Sequence, residues 1–337
     1  MTAVITSALN TTALLEGLGL KIFAKACDRT FKQNVLIALS LCAAVVNAPA
    51  FADSGASVTQ VAMLGTGTPN PFPERSGPGV AIVVNDEAYL VDFGPGIVRR
   101  AASLSPEYGG DIPGLAVEKL NHAFLTHLHS DHSVGLPELL LTSWVAGRDR
   151  PLKLFGPEGT ASMAKNIIAA YEEDIRYRLY SDQPANNQGW RIATTEVTET
   201  GIIFKDNNVT VEAFRVPHGS WPDAWGYRFI TPDKVIVISG DTAPSERLLE
   251  YAKDADILIH EVYSLEGFQK KEPRWQKYHA GNHTSTHELG ELAAKARPKL
   301  LVLYHQLLWG SSHETLLNEV REVYDGKVVS ARDLDVY

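Results

Sequence analysis

The sequence predicts an α/β protein, and three observations support this fold class. Short apolar runs bounded by Gly, Pro and Asn recur from residue 57 onward, and they alternate with segments of helical spacing. No repeat, low-complexity tract or Pro/Gly/Ser-rich linker divides the chain. Residues able to bind metal ions follow the C-terminal ends of several predicted strands, where α/β folds assemble their sites. We therefore expect a single domain over residues 53–337.

The first half of this domain begins with strands and then alternates. Three apolar runs predict strands: SVTQVAMLGTG, GVAIVVN and EAYLVDFG. Residues 96–104 have helical spacing, and HAFLT predicts a strand that leads directly into a cluster of histidines. The segment VGLPELLLTSWVAG and residues 160–174 predict two further helices, with the strand PLKLFGPEG between them.

The second half continues the alternation. The segments NVTVEAFRVPHG, AWGYRFIT and KVIVISGD predict three strands, and SERLLEYAKDA predicts a helix behind a Ser cap. DILIHE and KLLVLYHQ predict strands on either side of the helix STHELGELAAKA, which Ser285 and Glu288 open as a capping box. SHETLLNEVREVY predicts a last helix.

The first 52 residues differ in kind from the rest. Basic residues precede an uncharged apolar stretch over residues 35–50, and AFADS supplies the small residues of a cleavage site after Ala52. The stretch is shorter than the roughly 20 residues that span a bilayer. We therefore expect a secretory signal peptide over residues 1–52, and a periplasmic or secreted mature protein without a membrane anchor.

Without that segment the chain is acidic and lacks cysteine. The 52 residues carry four basic and two acidic side chains, so the net charge of −9 becomes −11. An acidic surface repels polyanions, and we therefore expect no nucleic acid partner. Cys27 and Cys42 both lie in the removed segment, so a metal site in the mature protein has to use His, Asp and Glu.

The segment FLTHLHSDHSVG, residues 124–135, concentrates ionisable groups after a predicted strand. On extended backbone, residues i and i+2 face the same side, so His127 and His129 can point at one ion. Asp131 and His132 follow across a turn and can serve a second ion. We therefore expect two divalent metal ions, and imidazole and carboxylate ligands favour Zn²⁺.

Two adjacent ions need a bridging carboxylate and further ligands. Asp241 in ISGDT is the candidate bridge, because Gly240 leaves room for close approach. His218 is the only histidine between the cluster and Asp241, and His305 is the histidine beyond it that ends an apolar strand. Asp92 in LVDFG is expected to hydrogen-bond the ligand loop.

These residues carry a resemblance to a known family. THLHSDH resembles the His-x-His-x-Asp-His signature of the metallo-β-lactamase superfamily, and the later candidates follow the order of that superfamily's remaining ligands. The resemblance implies a four-layer αββα sandwich, in which helices flank two mixed sheets and a dinuclear metal site lies at one edge. The predicted metal ligands are His127, His129, Asp131, His132, His218, Asp241 and His305.

Two branches of the superfamily share this layout. MLGTGTPNPFPERSGPG with YLVDFGPGIVRRAA looks like the branch that contains zinc-dependent arylsulfatases, whereas HTSTHELGELAAKA followed by LVLYHQ is similar to ribonuclease Z. The second comparison implies that His283 is the proton donor and Glu261 its orienter; with Asp131 they form the candidate catalytic set. Because His283 precedes a helix N-terminus and would lie beside a carboxylate, we expect it to titrate near neutral pH.

The resemblance implies a secreted hydrolase in which two metal ions activate a water that cleaves an ester. We expect small, possibly aromatic, sulfate esters as substrates, because export, acidity and the lack of an evident long basic arm argue against RNA. A phosphodiesterase of the ribonuclease Z type or a lactonase is the alternative. A catalytically silent metal-binding protein is a hypothesis of another class.

Four tryptophans lie close to candidate residues in the sequence, with Trp275 placed in a polar loop before His283. Aromatic residues usually indicate core packing, but these could instead line an apolar pocket for an aromatic leaving group. Both interpretations stay open for Trp221, Trp225, Trp275 and Trp309. His279 is expected to be an ordinary core or surface residue.

Overall fold

Strands and helices alternate along the chain in the computed structural model, which describes residues 58–183 and 185–337. The strands are β1 Thr59–Gly65, β2 Gly79–Val84, β3 Glu87–Val91, β4 His122–Phe124, β5 Leu152–Gly156, β6 Ile192–Glu196, β7 Gly201–Lys205, β8 Thr210–Arg215, β9 Trp225–Ile230, β10 Val235–Ile238, β11 Ile257–Tyr263, β12 Leu300–Leu307 and β13 Val328–Ser330. The helices are α1 Ile97–Leu104, α2 Ser130–Ser133, α3 Leu136–Val145, α4 Thr160–Ala170, α5 Glu172–Tyr180, α6 Glu246–Ala252, α7 Leu265–Gln269, α8 Pro273–Asn282, α9 Thr286–Ala296 and α10 His313–Arg321.

The strands form two mixed sheets. The first has the order β1-β2-β3-β4-β5-β6, and the second has the order β13-β12-β11-β10-β9-β8-β7. In the first sheet β1 to β3 are antiparallel neighbours and β3 to β6 are parallel. In the second, β7 to β10 are antiparallel and β10 to β13 are parallel. Each half therefore runs from antiparallel to parallel strands, a similarity that the sequence pattern does not reveal.

Three apolar layers hold the sheets and helices together. Side chains alternate along a strand, so Val61 and Met63 of β1 pack between the two sheets while Ala62 and Leu64 pack beneath α1 and α3. The outer face of the second sheet is covered in the same way by α6, α9 and α10. Both faces of each sheet are buried, which is why the central strands read as continuous apolar runs. The layers thus follow the order helix, sheet, sheet, helix, and the predicted αββα sandwich is confirmed.

The segment before His283 differs from the prediction. The sequence predicts a polar loop there, but the chain forms helix α8, with Pro273 in its first turn, where a proline is tolerated. Its aromatic residues face a cavity rather than the core, so the usual apolar stripe is missing from the pattern. Strands β6 and β7 were also not predicted, and the helix predicted over 160–174 breaks at Tyr171.

The predicted signal peptide, with its cleavage site after Ala52, lies outside the described residues. The boundary at residue 53 therefore stays a prediction. Within residues 58–183 and 185–337, no helix is both long and apolar enough to cross a membrane.

Candidate metal centre

The loop after β4 carries the first candidate ligands, and Asp92 holds this loop in place. Asp92 follows β3, which pairs in parallel with β4, so its carboxylate reaches the loop. It accepts hydrogen bonds from Thr126 N at 2.8 Å, from Thr126 Oγ1 at 3.0 Å and from His132 Nδ1 at 2.8 Å. The predicted role of Asp92 is thereby confirmed. Its bond to Nδ1 leaves the Nε2 atom of His132 facing the other candidates.

Three imidazoles meet in the first group of candidate ligands. His127 Nε2 lies 2.8 Å from His129 Nδ1, and His218 Nε2 lies 3.2 Å from the same atom. His218 Nδ1 donates to the carbonyl oxygen of Asn282 at 2.8 Å, and a neutral ring then keeps a lone pair on Nε2. The indole nitrogen of Trp221 lies 2.8 Å from His129 Nε2, and the two rings meet edge to face.

Asp131, His132 and His305 form the second group. His305 Nε2 lies 3.3 Å from Asp131 Oδ2, and His132 Nε2 lies 3.5 Å from the same oxygen. His305 does not end its strand as predicted, because it lies within β12 at a bulge, with a φ of 42°. A bulge re-aims a side chain, and this lets a residue of a central strand reach the site.

Asp241 lies between the two groups, where a bridging carboxylate would be expected. Its Oδ1 is 3.4 Å from His132 Nε2, and its Oδ2 is 3.5 Å from His305 Nε2 and 4.0 Å from His127 Nε2. Gly240 has a φ of 61°, and a Cβ there would lie 2.8 Å from a backbone carbonyl oxygen. The predicted need for glycine at this close approach is confirmed.

Both groups fit divalent metal ions. Nitrogen and oxygen ligands about 2.1 Å from a tetrahedral ion lie roughly 3.4 Å from one another, and most of the distances above are close to that value. Among the described residues, His132 Nε2 and Asp241 Oδ1 are buried without a hydrogen-bond partner, which is costly unless an ion compensates them. The structure thus brings the seven predicted ligands together, while their coordination of metal stays a prediction.

The charges at this centre also favour cations. Burial alone would lower the pKa of His132, but Asp241, Asp92 and Asp131 together raise it well above its ordinary value. Burial, assisted by His132, holds the pKa of His127 well below its ordinary value, so that this imidazole is neutral, as a metal ligand must be. The three carboxylates around His132 therefore supply negative charge that suits bound cations.

His283 and Glu261 lie beside Asp241, but their electrostatics differ from the prediction. His283 Nδ1 is 3.4 Å from Glu261 Oε1 and 3.9 Å from Asp241 Oδ2. Burial lowers the pKa of His283 to about 4, and burial together with Asp241 raises the pKa of Glu261 well above its ordinary value. The expected titration near neutral pH fails because burial outweighs the neighbouring carboxylate of Asp241, which alone would raise the pKa. Glu261 Oε1 instead accepts hydrogen bonds from Thr284 N and Thr242 N, and so ties the two loops together.

The centre opens into a cavity of about 440 Å³. Trp275 and Trp309 line it, whereas Trp225 is buried between the sheets and Trp221 contacts the predicted ligand His129. His279, expected to be an ordinary residue, also lines the cavity. His279 lies four residues after Trp275, a spacing that places both side chains on one face of a helix. The sequence therefore indicates that His279 lines the cavity only if α8 is predicted as a helix. The remaining lining outside the predicted ligands comprises Pro69, Asn70, Ser130, Lys271, Tyr278, His283 and Leu307.

Comparison with known proteins decides the family. The profile of the beta-lactamase superfamily domain matches residues 88–306, a span that contains every predicted ligand. The chain belongs to the metallo-β-lactamase superfamily. Membership supports a metal-dependent hydrolase, as predicted, while the identity and number of the metal ions stay predictions.

Relatives place this superfamily member in the ribonuclease Z-like branch. It is 33% identical over 250 residues to ribonuclease Z of Mycobacterium sp. (strain KMS), across 74% of this chain and 84% of that protein. Its fold resembles the crystal structure of human tRNase Z, short form, with a TM-score of 0.60 and 22% identity over 82% of this chain and 98% of that one. The metallo-β-lactamase fold protein YhfI from Bacillus subtilis is similar, with a TM-score of 0.62 and 17% identity over 83% and 98%.

The predicted exclusion of nucleic acid is wrong. The mycobacterial relative of this metallo-β-lactamase superfamily member is named ribonuclease Z and the human structure tRNase Z, and these names favour the phosphodiesterase alternative over aryl sulfate esters. The exclusion rested on the net charge summed over residues 53–337, on the expected export and on the lack of an evident long basic arm. Net charge sums over the entire surface and does not report the local field at one cavity.

Proposed function

We propose that this protein is a divalent-metal-dependent phosphodiesterase that hydrolyses RNA. The observation that carries the proposal is the arrangement of two ligand groups around Asp241, next to His283, in a chain 33% identical to a ribonuclease Z. The cavity above these groups is within the size range of small-molecule sites, and it can take a substrate end rather than the body of a folded partner.

The two ligand groups divide the work of holding the ions. His127, His129 and His218 would bind one ion, and Asp131, His132 and His305 would bind the other, with Asp241 in contact with both. Nitrogen and oxygen ligands in this ratio suit zinc. When bound, such a pair makes a water acidic enough to act as a nucleophile near neutral pH and draws charge from the phosphoryl oxygens.

His283 is placed to assist the departing oxygen. Its ring lines the cavity and lies close to Asp241, which puts it within reach of an ester held at the centre. Glu261 keeps the backbone after His283 in place through Thr284 N, so we assign Glu261 a positioning role. His283 would donate a hydrogen bond to the leaving oxygen. A bound phosphate anion would raise the lowered pKa of its ring, so that a proton can follow.

Hydrolysis assays on three small esters test the proposal: bis-nitrophenyl phosphate, nitrophenyl sulfate and a simple lactone. We expect the zinc-loaded protein to hydrolyse the phosphodiester, and we expect His283→Ala to lower kcat by about 10²- to 10⁴-fold. Sulfate hydrolysis without phosphodiester turnover would restore the arylsulfatase interpretation. Retained metal without turnover of any ester would favour a silent metal-binding protein.

Export is a separate proposal that the described residues do not address. We infer from residues 1–52 that the mature protein begins at Asp53. N-terminal sequencing of protein isolated from fractionated cells tests this directly. An intact N-terminus in the cytoplasmic fraction would contradict it.

A further inference from the structure

One wall of the cavity is unusually rich in exposed aromatic rings. Trp275, Tyr278 and His279 are spaced i, i+3 and i+4 on α8, so they lie on one face of the helix, and all three line the cavity. Trp275 is 44% exposed and Tyr278 is 41% exposed. Rings of this size are normally covered in a folded protein, so the wall offers apolar area that the chain itself does not use.

These rings form a continuous surface that leads to the metal centre. The ring of His279 lies 5.8 Å from that of Trp275 at an interplanar angle of 26°, and 4.2 Å from that of Trp309. On its other side His279 is 5.7 Å from His283, which adjoins Asp241. A planar group resting on Trp275 would therefore extend the row of rings toward the metal centre, whereas the Tyr278 ring stands edge-on to its neighbours.

One cation, Lys271, lines this wall with the rings, and three others lie near it in the sequence. Lys270, Lys271, Arg274 and Lys277 lie within eight residues of the sequence, in a chain whose net charge is −9. Lys271 Nζ is 4.7 Å from the centre of the Trp309 ring, and Arg274 lies 5.6 Å from that of Trp275.

Only part of this charge is balanced locally. Lys270 pairs with Glu266 and Arg274 pairs with Glu272, but these are exposed pairs, which contribute little. Segment 266–277 therefore keeps a net charge of +2 from four basic and two acidic residues. Like charges one helical turn apart destabilise a helix, so the clustering is a cost to folding that a polyanionic ligand would offset.

We propose that α8 and the loop before it, residues 270–279, bind the unpaired end of an RNA strand. A base would stack on Trp275, while Lys271, which lines the cavity, would neutralise a phosphate beside the bond that is cut. A duplex has its base faces already stacked, so an unpaired nucleotide can use this wall and a paired one cannot. This inference rests on the proposed function, because it takes the scissile phosphodiester to lie at the metal centre.

Binding of a short, hydrolysis-resistant single-stranded RNA, followed by fluorescence anisotropy on the full chain, tests the stacking. We expect Trp275→Ala to weaken binding by roughly 5- to 100-fold, the range for loss of one base stack, and Trp275→Phe to recover most of that loss. Tyr180→Ala is the matched control, because Tyr180 is exposed on α5 and lines a different groove. Equal losses in Trp275→Ala and Tyr180→Ala would overturn the proposal.

Salt dependence tests the cations. Each phosphate contact removed from a single-stranded complex should reduce the slope of log Kobs against log salt concentration by about 0.7. We expect this change for Lys271→Ala, but not for Lys277→Ala, which lies outside the cavity lining, or for the control Lys165→Ala on α4. Slopes that are the same in all three variants would overturn the role of Lys271. Duplex RNA bound as tightly as single strands would overturn the preference for an unpaired end.

The proposed function can fail independently of this inference. Turnover of bis-nitrophenyl phosphate by the wild type reports the chemistry, because this substrate has no bases and no flanking phosphates. Turnover without selective RNA binding would remove the α8 proposal alone. Selective RNA binding without turnover would contradict the proposed hydrolysis and still support RNA binding by α8.

Discussion

Asp92 and Asp241 occupy equivalent places in the two halves of the molecule and differ in how they are satisfied. Each follows the strand at which its sheet changes from antiparallel to parallel pairing, β3 in the first half and β10 in the second. Both turns use a positive φ, 60° at Asp92 itself and 61° at Gly240. Asp92 accepts hydrogen bonds from Thr126 and His132. Asp241 Oδ1 has no partner in hydrogen-bonding geometry among the described residues, and His132 Nε2 lies 3.4 Å from it.

The difference shows how a buried carboxylate reveals its role. A carboxylate whose oxygens are met by protein donors anchors the chain around it, as Asp92 anchors the ligand loop. Burial alone would raise the pKa of Asp241, but the imidazoles of His305 and His132 hold it well below its ordinary value. Its negative charge is thus balanced only by groups that also suit a metal ion. Both carboxylates are buried, and they differ in whether protein donors satisfy their hydrogen-bonding capacity.

The largest expected effect on activity comes from removing the carboxylate of Asp241. Asp241→Ala should lower hydrolysis at least about a thousandfold, because several kcal/mol of metal-dependent stabilisation are lost. Bound zinc, measured by elemental analysis, should fall with it, while the circular dichroism spectrum stays unchanged. Asp325→Ala, an exposed carboxylate paired with Arg297, is the control. Full activity and full metal content in Asp241→Ala would show that Asp241, like Asp92, has only a structural role.

Removal of bound metal should lower the stability of the wild type but change that of Asp241→Ala much less. An ion at 100 times its dissociation constant stabilises the folded state by about 2.7 kcal/mol, provided that the unfolded chain does not bind it. Thermal unfolding with zinc and with a chelator should therefore differ clearly for the wild type and much less for Asp241→Ala. Identical melting curves in zinc and in chelator would argue that no structural ion is bound.

Asp92→Asn should weaken metal binding without abolishing it. The amide N–H of asparagine would face His132 Nδ1, and the ring proton would then move to Nε2, the atom that faces Asp131 and Asp241. Changes in such outer hydrogen bonds cost about 10- to 100-fold in metal affinity. Competition with a chromophoric chelator measures the loss. Wild-type affinity in this variant would show that Asp92 only holds the loop.

The smallest expected effect is on stability alone. Thr126→Val removes a hydroxyl donor to buried Asp92 and should lower the free energy of unfolding by about 1 kcal/mol in urea denaturation. Thr126→Ser keeps the hydroxyl and should stay closer to the wild type. If valine and serine were equally destabilising, the loss would come from packing rather than from the hydrogen bond.

Local patterns allowed much of the fold and most of the candidate site to be predicted. Apolar runs and a capping box depend on neighbouring residues, so the central strands and helix α9 follow from the sequence. Spacing of i and i+2 likewise brings His127 and His129 together. Helix α8 was not predicted because its aromatic face lines a cavity instead of packing on the core. Its sequence therefore lacks the apolar stripe by which helical periodicity is recognised.

The sequence by itself determined the kinds of ligand atoms and the order in which they occur along the chain, since these are properties of residue type and spacing. Only the tertiary structure decided that Asp92 is an anchor while Asp241 faces the ligand histidines, that a bulge turns His305 inward, and that Trp275 stands beside the centre. Those outcomes depend on which distant segments come into contact. Pairing between strands far apart in the sequence decides these contacts, and local sequence patterns do not encode it.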